Sequence, residues 1–175
     1  MSGERHKKAF KRWFNLLPEK TKLLVAAVVE ILVPELERRG FVWVDYLYTD
    51  SGGKYIERAD MIPMQRRGPG YYDVVIVGLD VKRRPRFHIS FRRWTDEELA
   101  RRESWLPHSL TKRQSERASA KEFGFSQFDP FVTETRCKKL VNEVVALLPQ
   151  MDECFARGVC GPNVTKSEFI CLIKT

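Results

Sequence analysis

Two neighbouring segments of alternating polarity constrain the fold of this chain most. Tyr71 to Lys82 (YYDVVIVGLDVK) and Arg86 to Trp94 (RFHISFRRW) both place apolar side chains at every second position. Only Arg83-Arg84-Pro85 separates them, and so short a connection joins antiparallel strands. The two segments therefore predict a β-hairpin.

The alternation assigns the side chains of this hairpin to two faces. One face is apolar and is predicted to pack in the core, and the other face is polar and mostly basic. In the expected register, Asp80 lies opposite His88 and Lys82 opposite Arg86. The apolar set is Val75, Val77, Leu79, Val81, Phe87, Ile89 and Phe91, and the polar set is Asp80, Lys82, Arg86, His88, Ser90 and Arg92.

Two further strands precede the hairpin. Phe41 to Thr49 and Lys54 to Gln65 are rich in β-branched and aromatic residues, and Asp50-Ser51-Gly52-Gly53 between them is typical of a hairpin loop. Pro63 cannot donate to a strand ladder, so we expect an edge or a bulge there. Short turns throughout predict a four-stranded antiparallel meander.

Helical periodicity marks the chain before the sheet. Lys7 to Leu17 is amphipathic, with aromatic residues on one side and lysines on the other, and predicts a basic helix within residues 1–18. Such a helix can dock on an anionic membrane or nucleic acid, but packing on the domain is favoured. A second helix is expected from Lys20 to Arg39, with a kink or a restart at Pro34.

The remainder of the chain is predicted to contain two helices separated by a long loop. A capping box indicates a helix from Thr95 to Glu103, and Ser104 to Ala120 shows no period and predicts a mobile loop. Thr133 to Leu148 is an amphipathic helix ended by Pro149, and Ser167 to Lys174 is compatible with strand or helix. Phe123, Phe125, Phe128 and Phe131 are expected to return the chain to the core.

These elements predict one α+β domain over residues 1–175: a four-stranded antiparallel meander with N-terminal and C-terminal helices packed on one face. The longest apolar run, from Leu23, is too short to cross a bilayer, and no signal peptide is recognisable. Cys137, Cys154, Cys160 and Cys171 show no C-x-x-C spacing, which argues against zinc and suits a reducing cytoplasm. No cofactor motif occurs.

The charge and the polar hairpin face suggest three functions. With 31 Lys and Arg against 23 Asp and Glu, the net charge of +8 favours an acidic partner, either a protein or a nucleic acid. The expected binding residues are Lys82, Arg83, Arg84, Arg86, His88, Arg92, Arg93 and Trp94. Alternatively, Asp80-x-Lys82 with Asp60 or Glu57 would form a metal-dependent nuclease site of the PD-(D/E)xK kind, although no Pro-Asp pair precedes it.

A helix followed by VPELERRGF (Val33 to Phe41) and a strand meander (Met64 to Phe91) resembles small bacterial α+β domains, some of which are immunity proteins of polymorphic toxins. The resemblance implies inhibition of a protein partner by direct binding. It transfers no functional residues, and this chain is basic where many such inhibitors are acidic. We therefore expect a non-enzymatic protein that binds an acidic protein, with nucleic-acid binding second and the nuclease third.

Overall fold

The computed structural model describes residues 3–45, 48–49, 55–56, 58–80, 82–95, 108–110 and 122–166. The fold is α+β with an antiparallel sheet, as the periodicities predict. The strands in chain order are β1 (Val42–Trp43), β2 (Tyr48–Thr49), β3 (Tyr55–Ile56), β4 (Met61–Gly68), β5 (Tyr71–Leu79), β6 (Arg86–Thr95), β7 (His108–Leu110), β8 (Phe123–Gly124) and β9 (Val164–Lys166).

The sheet is larger than the predicted meander. Among the described residues, seven strands form it in the order β1-β4-β5-β6-β7-β9, with β8 paired to the start of β6. The long strands β4, β5 and β6 are the predicted centre, and the short strands β7, β8 and β9 extend it on one side.

The first two predicted strands are each divided. β1 pairs with β4, while β2 and β3 form a separate hairpin. Pro63 explains where the first ladder ends: its carbonyl accepts a hydrogen bond from the Val44 N–H at 3.1 Å, but it has no N–H to return. The β1 ladder therefore stops after Trp43.

The helices begin with α1 (Glu4–Asn15) and α2 (Glu19–Ala27), followed by a π-helical segment (Val28–Leu32) and α3 (Val33–Arg38). Pro34 lies in the first turn of α3, so the expected restart occurs there. The wider π-helical segment directly precedes this proline, whose missing N–H interrupts the regular helical hydrogen bonding.

The predicted helix from Thr133 to Leu148 corresponds to α4 (Glu134–Val145), and a further helix, which was not predicted, follows it. Thr133 caps α4 by accepting a hydrogen bond from the Arg136 N–H, and the further helix is α5 (Leu148–Arg157). Pro149 was expected to end a helix, and instead it lies in the first turn of α5. The backbone N–H groups of the first helical turn have no partner within the helix, so a proline, which lacks an N–H, favours a helix start at this position.

The core lies between the helices and the apolar face of the sheet. The predicted core residues of the hairpin are buried there, apart from Val81, which lies outside the described residues. The helices α1 to α5 contribute to the same cluster through residues that include Phe10, Leu24, Leu36, Val141 and Phe155. These helices therefore share the apolar face of the sheet.

The segment predicted as a mobile loop, 104–120, contains β7. Leu110 is fully buried and Ser109 nearly so, because both lie between β6 and β9. The hairpin loop 50–53, Glu57, most of the predicted helix at 96–103, and residues 104–107, 111–120 and 167–174 lie outside the described residues. No helix in the described ranges is long and apolar enough to cross a membrane.

Candidate functional site

The two faces of the central hairpin are as predicted, but its register differs by two residues. His88 lies opposite Gly78, and the Asp80 N–H donates to the Arg86 carbonyl oxygen at 3.1 Å. The tip is longer than three residues because β5 ends at Leu79 and Arg83 adopts a left-handed conformation with φ of 57°. A shift of two residues leaves every side chain on its predicted face.

Gly78 makes room for the His88 ring. A Cβ atom on Gly78 would overlap the Cε1 and Nε2 atoms of this imidazole, so the ring lies across the glycine backbone. Burial lowers the pKa of His88, and the nearby carboxylates of Glu122 and Asp60 oppose this shift without cancelling it. The imidazole is therefore neutral at pH 7.

Because the folded state holds His88 at a lowered pKa, acid should destabilise the protein. Below the unfolded-state pKa of about 6.5, the unfolded chain binds a proton that the folded chain does not. This part of the stability is present above about pH 6.5 and is lost as the pH falls toward the lower folded pKa. We expect His88→Gln to lose less unfolding free energy than wild type between about pH 7 and 5 in urea denaturation. Equal losses would contradict this account.

A pocket of about 190 Å³ surrounds His88 on the polar face of the hairpin, and its charges are paired. Arg84 Nε donates to Asp80 at 2.7 Å, and Arg86 Nη1 donates to Glu122 at 2.9 Å. Arg58 makes two hydrogen bonds to Asp60, at 2.8 and 2.6 Å. Each arginine that lines the pocket thus has its own carboxylate partner.

Arginines hold both of the described carboxylates that were expected to form a nuclease site. Asp60 is held by Arg58, and Asp80 accepts from both Arg84 and the Lys82 N–H, the latter at 2.7 Å. Burial opposes ionisation of Asp80, but these hydrogen bonds outweigh it and hold the pKa of Asp80 below its usual range. Within the described ranges, no three acidic or histidine side chains of this pocket converge as a metal-ligand group.

Of the last two expected binding residues, Trp94 is buried and Arg93 is partly exposed but paired with a carboxylate. Trp94 is only 2% exposed and forms a small buried cluster with Val74 and Ile76. Arg93 points to the helical side of the sheet, where its Nε donates to Asp73 at 2.7 Å. Arg92 lies half-buried on the face that carries His88.

The tip of the hairpin is fastened to the junction between α1 and α2. The Thr21 hydroxyl donates to the Arg83 carbonyl oxygen at 2.6 Å, and Arg83 Nη1 donates to the Leu16 carbonyl oxygen at 3.3 Å. These bonds join segments that are more than 60 residues apart in the chain.

The loop at 126–131 reaches the same end of the molecule. The Phe125 N–H donates to the Pro85 carbonyl oxygen at 2.9 Å, and Lys20 Nζ donates to the Asp129 carbonyl oxygen at 2.7 Å. The hairpin tip, the α1–α2 junction and this loop together form what we call the hairpin-end surface. It consists of Arg12, Leu16, Lys82, Arg83, Phe128 and Phe131.

This surface exposes large apolar side chains among cations. Leu16 is 64% exposed, Phe128 81% and Phe131 71%. Lys82 and Arg83 are exposed at the hairpin tip, which Arg83 joins to Leu16, and Arg12 lies one helical turn before Leu16. Phe128 and Phe131 were expected in the core, but only Phe123 and Phe125 pack there. A serine, an aspartate and a proline flank the two exposed rings, and these residue types in the sequence are typical of a surface loop.

No family model matches the chain, and no curated protein or solved structure is significantly similar to it.

Proposed function

We propose that this protein is a non-enzymatic binding protein whose hairpin-end surface recognises an acidic surface of another protein. An antagonist role of the immunity type, in which binding itself blocks the partner, is part of this proposal. The observation that carries it is the exposure of Leu16, Phe128 and Phe131 together at one end of the molecule, next to exposed cations.

The apolar residues support a protein partner. Protein interfaces combine a central apolar or aromatic patch with a polar rim, and the residues that dominate binding are enriched in aromatic side chains and arginine. Single exposed apolar side chains are common on protein surfaces, but two exposed phenylalanines and a leucine at one end of a fold form a larger apolar area than such scattered residues do. Covering them with a partner would remove this apolar area from water.

The charges support an acidic partner. Lys82 is exposed, and its ammonium group has no ion pair within the described ranges. Lys8, Lys11 and Arg12 line the exposed side of α1, which leads to Leu16. By contrast, Arg58, Arg84 and Arg86 in the His88 pocket are paired with carboxylates, so using them would require breaking those pairs. The hairpin-end surface is therefore favoured over the pocket.

Nucleic-acid binding is the second candidate, because exposed phenylalanines beside cations can also stack on unpaired bases. Its affinity would fall steeply with salt, as counterions are released from phosphates. The nuclease comes third, since a metal ion would have to compete with arginines for Asp60 and Asp80.

Charge reversal tests the proposal. We expect Lys82→Glu to reduce capture of an acidic protein from a nuclease-treated lysate of the source cells by about tenfold, since one like-charge contact costs at least about 1.4 kcal/mol. Arg67→Glu is the matched control. Arg67 is exposed near the end of β4 that lies away from the hairpin tip, so its reversal should leave capture unchanged. Capture that nuclease treatment abolishes, or that both variants reduce equally, would contradict the proposal.

A further inference from the structure

Three potential metal ligands converge beside β7, one strand in from the β9 edge of the sheet. His108 is the first residue of β7, Cys154 lies in the last turn of α5, and Cys160 follows that helix. A ring nitrogen of His108 and the two Sγ atoms all lie within 4.8 Å of one another. The two Sγ atoms are 2.9 Å apart.

The fold holds His108 in place. It pairs with Phe91 of β6 and with Lys166 of β9, so the sheet fixes its backbone from both sides. Its ring stacks on Phe91, with centroids 5.4 Å apart, and Phe91 in turn meets Phe155 edge-on at 5.2 Å. Phe155 follows Cys154 directly in the chain, so the histidine and this cysteine are positioned by one packed unit.

The loop that carries Cys160 is also fixed. Gly158 ends α5 in the left-handed conformation, with φ of 69°, and turns the chain back. The Gln150 side chain then binds Asn163 twice, through the Asn163 N–H at 2.9 Å and the Asn163 Oδ1 atom at 3.1 Å. These contacts bring Cys160 next to Cys154.

The chemistry of the three groups suits zinc. Thiolates and imidazole are its preferred protein ligands, and zinc accepts a tetrahedral site with three protein ligands and one open position. A bound divalent cation would stabilise the thiolates and displace the protons.

We propose that His108, Cys154 and Cys160 bind a single Zn²⁺ ion, with the fourth position open to solvent on the exposed side of Cys160. Sequence spacing did not indicate this site, because the two cysteines do not form a C-x-x-C pair and the histidine belongs to a distant strand. The proposal is independent of partner binding at the hairpin-end surface.

Metal titration of the full chain tests this site. The protein is stripped with a chelator, kept reduced with a phosphine, and titrated with Co²⁺ and then with Zn²⁺. We expect one Co²⁺ per chain, with the visible absorption of a tetrahedral ion and a near-ultraviolet thiolate-to-metal band, both removed by one equivalent of Zn²⁺.

Two variants and a control complete the experiment. Loss of an outer hydrogen-bond partner already weakens metal binding by about 10- to 100-fold, so Cys160→Ser and His108→Gln should each weaken Zn²⁺ binding by more than about 100-fold. Cys160 is exposed, so its replacement leaves the core intact. Cys137→Ala removes a thiol that is not part of the cluster and should bind Zn²⁺ like wild type. Absence of the thiolate band, or unchanged Zn²⁺ binding by Cys160→Ser, would overturn the proposal.

Discussion

Asp73→Asn is expected to lower the free energy of unfolding by about 2–4 kcal/mol, because it removes the charge of a buried carboxylate that pairs with two arginines. The Asp73 side chain is 2% exposed and accepts hydrogen bonds from Arg66 at 2.9 Å and from Arg93 at 2.7 Å. The asparagine keeps the shape of the side chain but loses its charge and places an NH2 donor where one oxygen accepted, so both the ion pairs and one acceptor are lost.

The network around Asp73 joins the sheet to the helices. Arg66 also donates to Asp152 of α5 and to the Arg39 carbonyl oxygen after α3, and its guanidinium lies over the Phe41 ring at 4.5 Å. Arg93 lies over the Tyr71 ring at 3.8 Å. Both arginines keep partial solvent contact, which is why the expected loss is smaller than for a fully buried pair.

Glu122→Gln is the matched control for Asp73→Asn. Its carboxylate pairs with Arg86 but is 38% exposed, so losing its charge should change the unfolding free energy by less than about 1 kcal/mol. Urea denaturation at pH 7 measures both variants. Similar losses of unfolding free energy in Asp73→Asn and Glu122→Gln would show that the buried Asp73 network stabilises the fold no more than an exposed ion pair does.

The largest expected effect on binding comes from the exposed aromatic rings. We expect Phe128→Ser combined with Phe131→Ser to weaken partner binding by at least about 30-fold, or roughly 2 kcal/mol, the usual threshold for residues that dominate an interface. The unfolding free energy should change little, because both rings are more than 70% exposed. Titration of the captured partner measures the affinity.

Val42→Ser is the control for this double variant. Val42 is 60% exposed on β1 and lies outside the hairpin-end surface, so its replacement removes a similar kind of apolar exposure. It should bind the partner like wild type. Wild-type affinity in the phenylalanine variant, or an equal loss in Val42→Ser, would remove the apolar patch from the proposed interface.

Alternating polarity was sufficient to predict the centre of the fold. Val75, Val77, Phe87 and Ile89 are buried as expected, because a strand that is covered on one face must alternate. The exact register depended on the turn, since Arg83 in a left-handed conformation lengthens the tip beyond what its sequence suggested. The alternation in the sequence thus determined which face of the hairpin each side chain lies on, and the geometry of the turn determined which residues of β5 and β6 are paired.

The hairpin-end surface depended on contacts between segments far apart in the chain, which no local pattern encodes. Leu16 and Phe128 come to the same end of the molecule through hydrogen bonds of Arg83 and Lys20 to backbone carbonyls more than 60 residues away. Arg93 was expected on a binding surface, but its position on the helical side and its pairing with Asp73 follow from the strand alternation combined with the placement of α5.

Photo-crosslinking from the hairpin-end surface tests the proposed function most directly. A photoreactive phenylalanine analogue replaces Phe128 in one variant and Val42 in another, and the products formed in the source cells are identified by mass spectrometry. The proposal predicts that position 128, but not position 42, becomes linked to a specific acidic protein. Links only to nucleic acid or lipid, or the same proteins from both positions, would contradict it.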